Sequence, residues 1–90
     1  MQLSKEVEII NKLGMHARAA AKFVQLATSF DCNIDLERNS KRVNGKSIMG
    51  VMMLAASKGS NITIYADGSD AQKSIDKLEE LIKNRFDEDE

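Results

Sequence analysis

Leu3-Ser4-Lys5-Glu6-Val7-Glu8-Ile9 alternates in character from residue to residue, and Asn11-Lys12-Leu13-Gly14-Met15-His16 then breaks that alternation. The first stretch has the period of a strand with one buried face. Beyond the break the period changes. Ala20, Phe23, Val24, Ala27 and Phe30 recur at helical spacing, which predicts a first helix between Ala17 and Phe30. The opening third of the chain therefore reads strand, loop, helix.

Ile34 and Leu36, flanked by Asn33, Asp35 and Glu37, predict a short second strand. Arg38-Asn39-Ser40 supplies turn residues, and Lys41 to Val43 gives its partner strand. After the Asn44-Gly45 turn, Ser47 stands as an N-cap for a short apolar helix, Ile48 to Ala55, with Val51, Leu54 and Ala55 as core. Lys58-Gly59-Ser60 ends that helix. Ile62, Ile64 and Ala66 alternate with Thr63 and Tyr65 to form the last strand. Ser69 and Gln72 have the spacing of a capping box. Ala71, Ile75, Leu78 and Ile82 then line one face of a final helix running to about Arg85. The order is βαββαβα, an α+β arrangement in two layers with one sheet face under helices and the other open to water.

Residues 1–90 read as a single domain, with Asp87-Glu88-Asp89-Glu90 as a frayed, solvated acidic tail. Apolar residues make up 42% and charged residues 30%, the balance of a folded globular chain. The longest apolar stretch, Ile48 to Ala56, is far too short to span a membrane. Met1-Gln2-Leu3-Ser4-Lys5-Glu6 lacks the basic and apolar blocks of a secretory leader. A net charge of -1 and an aromatic content of 4% speak against nucleic acid as a partner. The single cysteine, Cys32, fits a reducing compartment and reads as a small buried hydrophobe. Together these point to a cytoplasmic protein with protein or small-molecule partners.

The chemistry is concentrated in Gly14-Met15-His16-Ala17-Arg18. It holds the chain's only histidine, at the start of a helix whose free N–H groups and partial positive charge disfavour a cationic ring and welcome an anion. Arg18 adds a permanent cation whose fork suits phosphate oxygens. Gly14 can adopt backbone angles closed to other residues. Taken singly, such a histidine is as readily a cap or surface residue, Arg18 a solvated one and Gly14 a loop glycine. With one histidine and no carboxylates near it in sequence, a metal site and a Ser-His-Asp hydrolase are both poorly supported.

Gly14-Met15-His16-Ala17-Arg18 closely resembles the active-site motif of the HPr family, the histidine phosphocarriers of the bacterial phosphoenolpyruvate-dependent phosphotransferase system. Asn44-Gly45-Lys46-Ser47-Ile48-Met49-Gly50-Val51-Met52 resembles that family's regulatory serine segment. The two motifs are in register, and the resemblance covers essentially the whole chain. It implies an open-faced sandwich of a four-stranded antiparallel sheet with three helices on one face. It also implies that His16 accepts a phosphoryl group on Nδ1 from phosphorylated Enzyme I and donates it to an EIIA-type domain. Arg18 would stabilise the phosphate. Ser47 would be the serine modified by HPr kinase/phosphorylase. Ala21, Ile48, Met49 and Met52 would form the docking patch beside the histidine. No cofactor or metal is implied, the carrier is consumed stoichiometrically rather than being an enzyme, and a monomer suits a shuttle.

In one respect the chain departs from the family, which usually has proline after the arginine where this chain has Ala19. Alanine preserves the helix but leaves its first turn less rigidly specified. Two other readings stand beside the carrier. One is a regulatory docking module of nitrogen-branch or catabolite-repression type, against which the retained His16 counts. The other is a nucleic-acid-binding α+β domain, for which no basic face or clamp loop is present.

Overall fold

The computed structural model describes residues 2–90; Met1, part of the stretch read for a leader, lies outside them. The chain forms β1 (Gln2–Glu8), α1 (Ala17–Thr28), β2 (Asn33–Arg38), β3 (Lys41–Asn44), α2 (Ile48–Met52), β4 (Asn61–Asp67) and α3 (Ala71–Lys83). A turn of 3-10 helix, Arg85–Asp87, follows. The βαββαβα order is the one the hydrophobic periods predict.

The strands make one antiparallel sheet in the order β1-β4-β2-β3. Alternation decides its two faces. Val7, Ile34, Leu36, Ile62, Ile64 and Ala66 are buried under the helices, and Asp35, Glu37, Thr63 and Tyr65 lie on the open face. On that open face the Arg42 guanidinium stacks 3.9 Å from the Tyr65 ring centroid, and the Tyr65 hydroxyl donates to Glu37. At Lys5 the buried face reaches the sheet edge, so the side chain runs out to Glu79 of α3, 3.8 Å away. Above the sheet, Phe23 and Val24 of α1, Val51 of α2, and Ile75, Leu78 and Ile82 of α3 complete the core. The β2–β3 hairpin turns through Asn39 (φ 52°) and Ser40 (φ 68°), the pair of left-handed residues that suits a two-residue hairpin.

Local readings are corrected at several points. Helix α1 ends at Thr28 rather than Phe30, with the Ser29 amide donating to Leu26 and the Phe30 amide to Ala27 to close the last turn. Helix α2 spans only Ile48–Met52, because Leu54 and Ala55 bond to Val51 and Met52 with the tighter three-residue spacing and Ala55 turns left-handed at φ 49°. Ala55 is exposed as a result and does not join the core. The capping box at Ser69 and Gln72 does not form. Asp70 is the N-cap residue of α3, and its carboxylate is engaged elsewhere, accepting the Asp31 amide at 2.9 Å and the Cys32 amide at 3.0 Å. Gln72 instead donates to Asp76. Cys32 is buried as expected, and that burial raises its thiol pKa.

Candidate functional site

The loop between β1 and α1 is fixed before it reaches the histidine. Asn11 is fully buried, and its side-chain amide donates to the Gly14 carbonyl at 2.8 Å. Gly14 has φ +67°, and a Cβ there would stand 2.6 Å from the Ala56 carbonyl oxygen and 2.8 Å from Ser57 Cα. Only glycine fits such a backbone and such an approach. The Met15 amide then donates to Ala56 at 2.8 Å, tying the loop to the segment before β4.

His16 is the N-cap residue of α1, with extended backbone angles (φ -74°, ψ 179°) and a side chain that does not cap the helix. Its carbonyl accepts the Ala20 amide at 2.8 Å, the first bond of the helix. The amides of Ala17, Arg18 and Ala19 are among those that a helix start leaves without intrahelical partners. They make this end of α1 electropositive. Arg18 is exposed, while Ala19 is fully buried against the core. The alanine thus fits where the family places proline, and its amide belongs to the uncommitted first turn.

The acidic ending is not a frayed tail. Phe86 is completely buried, and the chain turns back so that Lys12, Leu13, His16, Arg18, Lys22, Asp87 and Glu88 line one groove. One Glu88 carboxylate oxygen is in hydrogen-bond contact with His16 Nε2, and the other accepts from Asn11 Nδ2 at 3.0 Å. Lys12 pairs with Glu90 at 3.3 Å and Lys22 with Asp87 at 3.6 Å. Burial acts to raise the Glu88 pKa, but the hydrogen bonds from His16 and Asn11, with the charge of Arg18 beside them, outweigh it and lower it. A carboxylate thus faces the histidine, although none is near it in sequence. Sequence reasoning missed Asn11 and Glu88; the available signal was Phe86, a large apolar residue inside an otherwise polar ending.

Ser47 caps α2 as expected, its hydroxyl accepting the Gly50 amide at 3.0 Å. Val51 and Leu54 are core residues. Ala21 is exposed, as are Ile48, Met49 (72%) and Met52, and α1 packs against α2. Met53 and Leu13, not singled out from the sequence, are also exposed apolar residues. Among the described residues, no group of three or more His, Cys, Asp or Glu side chains is placed to hold a metal ion. No helix among them is long and apolar enough to cross a membrane.

Residues 3–84 match the family described as PTS HPr component phosphorylation site. The chain belongs to the HPr family. It is 53% identical to the phosphocarrier protein HPr of Cupriavidus necator, over 98% of this chain and 99% of that one. Identity to the phosphocarrier protein HPr of Pseudomonas aeruginosa is 54%, covering 94% and 96% of the two chains. The crystal structure of an HPr from Thermoanaerobacter tengcongensis superposes with a TM-score of 0.94 at 43% identity, covering 98% of this chain and 99% of that one. The relatives are named as phosphocarrier proteins, and the chain belongs to that phosphocarrier family.

Proposed function

We propose that His16 accepts a phosphoryl group on Nδ1 from phosphorylated Enzyme I and passes it to a histidine of an EIIA-type domain. The observation that carries this reading is the setting of the ring. His16 stands at the electropositive start of α1, and Lys12, Arg18 and Lys22 line the same groove. An anion placed on the ring would meet uncommitted amides of the first turn, and the exposed Arg18 guanidinium is within the same helical turn. Transfer of this kind needs positioning and charge stabilisation more than covalent chemistry from the protein.

Ser47 is the residue we assign to regulation by HPr kinase/phosphorylase. A phosphate at this cap adds negative charge next to the exposed Ile48 and Met49. Ala21, Ile48, Met49 and Met52 form the docking surface in this reading, their flexible side chains suiting several partners. The carrier then works as a cytoplasmic monomer, without cofactor or metal, and without binding nucleic acid or inserting into a membrane. The alternative, a regulatory module of nitrogen-branch or catabolite-repression type acting by docking, leaves the histidine without work.

Incubation with Enzyme I and labelled phosphoenolpyruvate decides between them, with His16→Ala as the control. Acid-labile, alkali-stable label on the parent alone supports the carrier. An unlabelled parent in the presence of active cognate Enzyme I sinks it and favours docking.

A further inference from the structure

Backbone strain accompanies the return of the chain to His16. Arg85, Phe86 and Asp87 are consecutive non-glycine residues with φ of 56°, 53° and 64°. Side chains rarely tolerate this left-handed backbone, and a run of such residues persists only where its surroundings over-determine it. Here the Phe86 ring is fully buried and the Glu88 amide donates to Arg85 at 2.9 Å. The outcome is a carboxylate brought to a ring 72 residues earlier in the chain. Asn11 occupies one carboxylate oxygen, leaving the other for Nε2.

We propose that Glu88 is a positioning residue for His16, holding the ring proton on Nε2 and leaving the Nδ1 lone pair to form the bond to phosphorus. The inference deepens the carrier reading and rests on it. An ionised carboxylate can only accept, so the nitrogen it faces must be the donor. A neutral ring with its proton on Nε2 has its lone pair on Nδ1. The cations of the groove, Lys12 from the loop and Arg18 and Lys22 from α1, have no acceptor to offer, and of its carboxylates, Asp87, Glu88, Asp89 and Glu90, it is Glu88 that meets the ring. Glu90 is paired with Lys12 and Asp87 with Lys22.

During transfer the Nδ1 lone pair becomes the nitrogen–phosphorus bond, and the donor atom recovers the electron pair of its own bond to phosphorus. The ring keeps its Nε2 proton and gains positive charge as the new bond forms. Glu88 stabilises that charge, as the buried aspartate does for the imidazolium of a Ser-His-Asp triad. When the phosphoryl group leaves, the ring returns to the same tautomer, ready for the next donor.

The test compares the parent with Glu88→Ala, Glu88→Gln and Glu80→Gln in two measurements. Glu80→Gln removes one charge from an exposed residue of α3 outside the groove and controls for net charge. The first measurement is the imidazole Nε2–H resonance of His16 by nitrogen-15-edited NMR. The second is the initial rate of labelling by phosphorylated Enzyme I, with the affinity for Enzyme I measured alongside. Loss of a partner that orients a functional histidine costs roughly 10–100-fold in the metal sites where it has been measured. Glu88→Ala is expected to lose the downfield Nε2–H signal and to slow labelling about tenfold or more at unchanged Enzyme I affinity. Glu88→Gln keeps an accepting oxygen and should recover the signal and part of the rate; Glu80→Gln should match the parent. A parental rate in Glu88→Ala overturns the proposal, and so does slow labelling with the Nε2–H signal intact. These outcomes are scored against a labelled parent, so an unlabelled parent, which overturns the carrier reading itself, cannot be mistaken for them.

Discussion

Lys22 crosses from α1 to the end of the chain and donates its Nζ to the Phe86 carbonyl at 2.9 Å. This bond and the buried Phe86 ring fasten the last residues to the helix that begins at His16. Phe86→Ala should therefore cost about 3–5 kcal/mol, the range for emptying a buried phenylalanine site. It should also free Glu88 from the ring. Urea denaturation reads the first effect, and amide exchange at Asp87 and Glu88 the second. Parental protection of those amides in the variant would show that the strained turn holds without its anchor.

Gly14→Ala should lower stability and misplace His16. The new methyl would meet the Ala56 carbonyl at 2.6 Å in a left-handed backbone, and strain together with overpacking costs about 2–4 kcal/mol. A lowered urea midpoint is expected, with shifted amide resonances from Met15 to Arg18. An unchanged midpoint would mean that the Ala56–Ser57 segment yields freely.

At Ser47 the cap and the regulatory charge can be separated. Ser47→Ala removes the acceptor for the Gly50 amide and should cost about 1 kcal/mol, with labelling of His16 little changed. Ser47→Asp keeps an acceptor and adds negative charge. Its stability should be close to the parent's, and its labelling by phosphorylated Enzyme I several-fold slower. Equal labelling rates in the two variants would argue against the assigned switch.

Acid should loosen the molecule at two carboxylates. The Asp31 amide bond, ahead of the contributions from Cys32, lowers the Asp70 pKa against the opposing effect of partial burial. Glu88 is lowered too, because the bonds from His16 and Asn11 outweigh its burial. A carboxylate held lower in the folded state gives stability that is fully present above its ordinary pKa, and loses it as the pH falls through the lowered folded value. The unfolding midpoint should accordingly fall below about pH 4, where ordinary carboxylates protonate. Asp70→Asn should flatten that decline. A variant with the parent's acid profile would show that the Asp31 and Cys32 bonds do not favour the charged form.

Much of this was legible in the residues. Period-2 alternation at Val7, Ile34, Leu36, Ile62 and Ile64, and helical spacing at Phe23, Val24, Ile75, Leu78 and Ile82, identified faces that are buried. Such patterns reflect which side of an element meets the core, and they survive any tertiary arrangement. What failed depended on contacts distant in sequence. Ser69 and Gln72 had the spacing of a cap, yet the Asp70 carboxylate is taken by residues almost forty positions earlier. The acidic ending had the composition of a solvated segment, and one aromatic residue overrode it. Asn11 looked like an ordinary loop residue because the bonds that bury it go to Gly14 and to Glu88.

The strand order carries a consequence for how the chain comes together. Strand β4 lies between β1 and β2, so Gln2 pairs with Asp67 and Asn33 pairs with the same residue from the other side. Until Asn61–Asp67 has been synthesised, the β2–β3 hairpin is the only part of the sheet that can form, and β1 has no neighbour. The loop that must close to seat β1 is long, and such pairings slow folding relative to helical bundles of similar size. A nascent chain stalled before Asn61 should thus remain open to proteases along β1, and His16, in the loop just after that strand, would be built onto a half-made support.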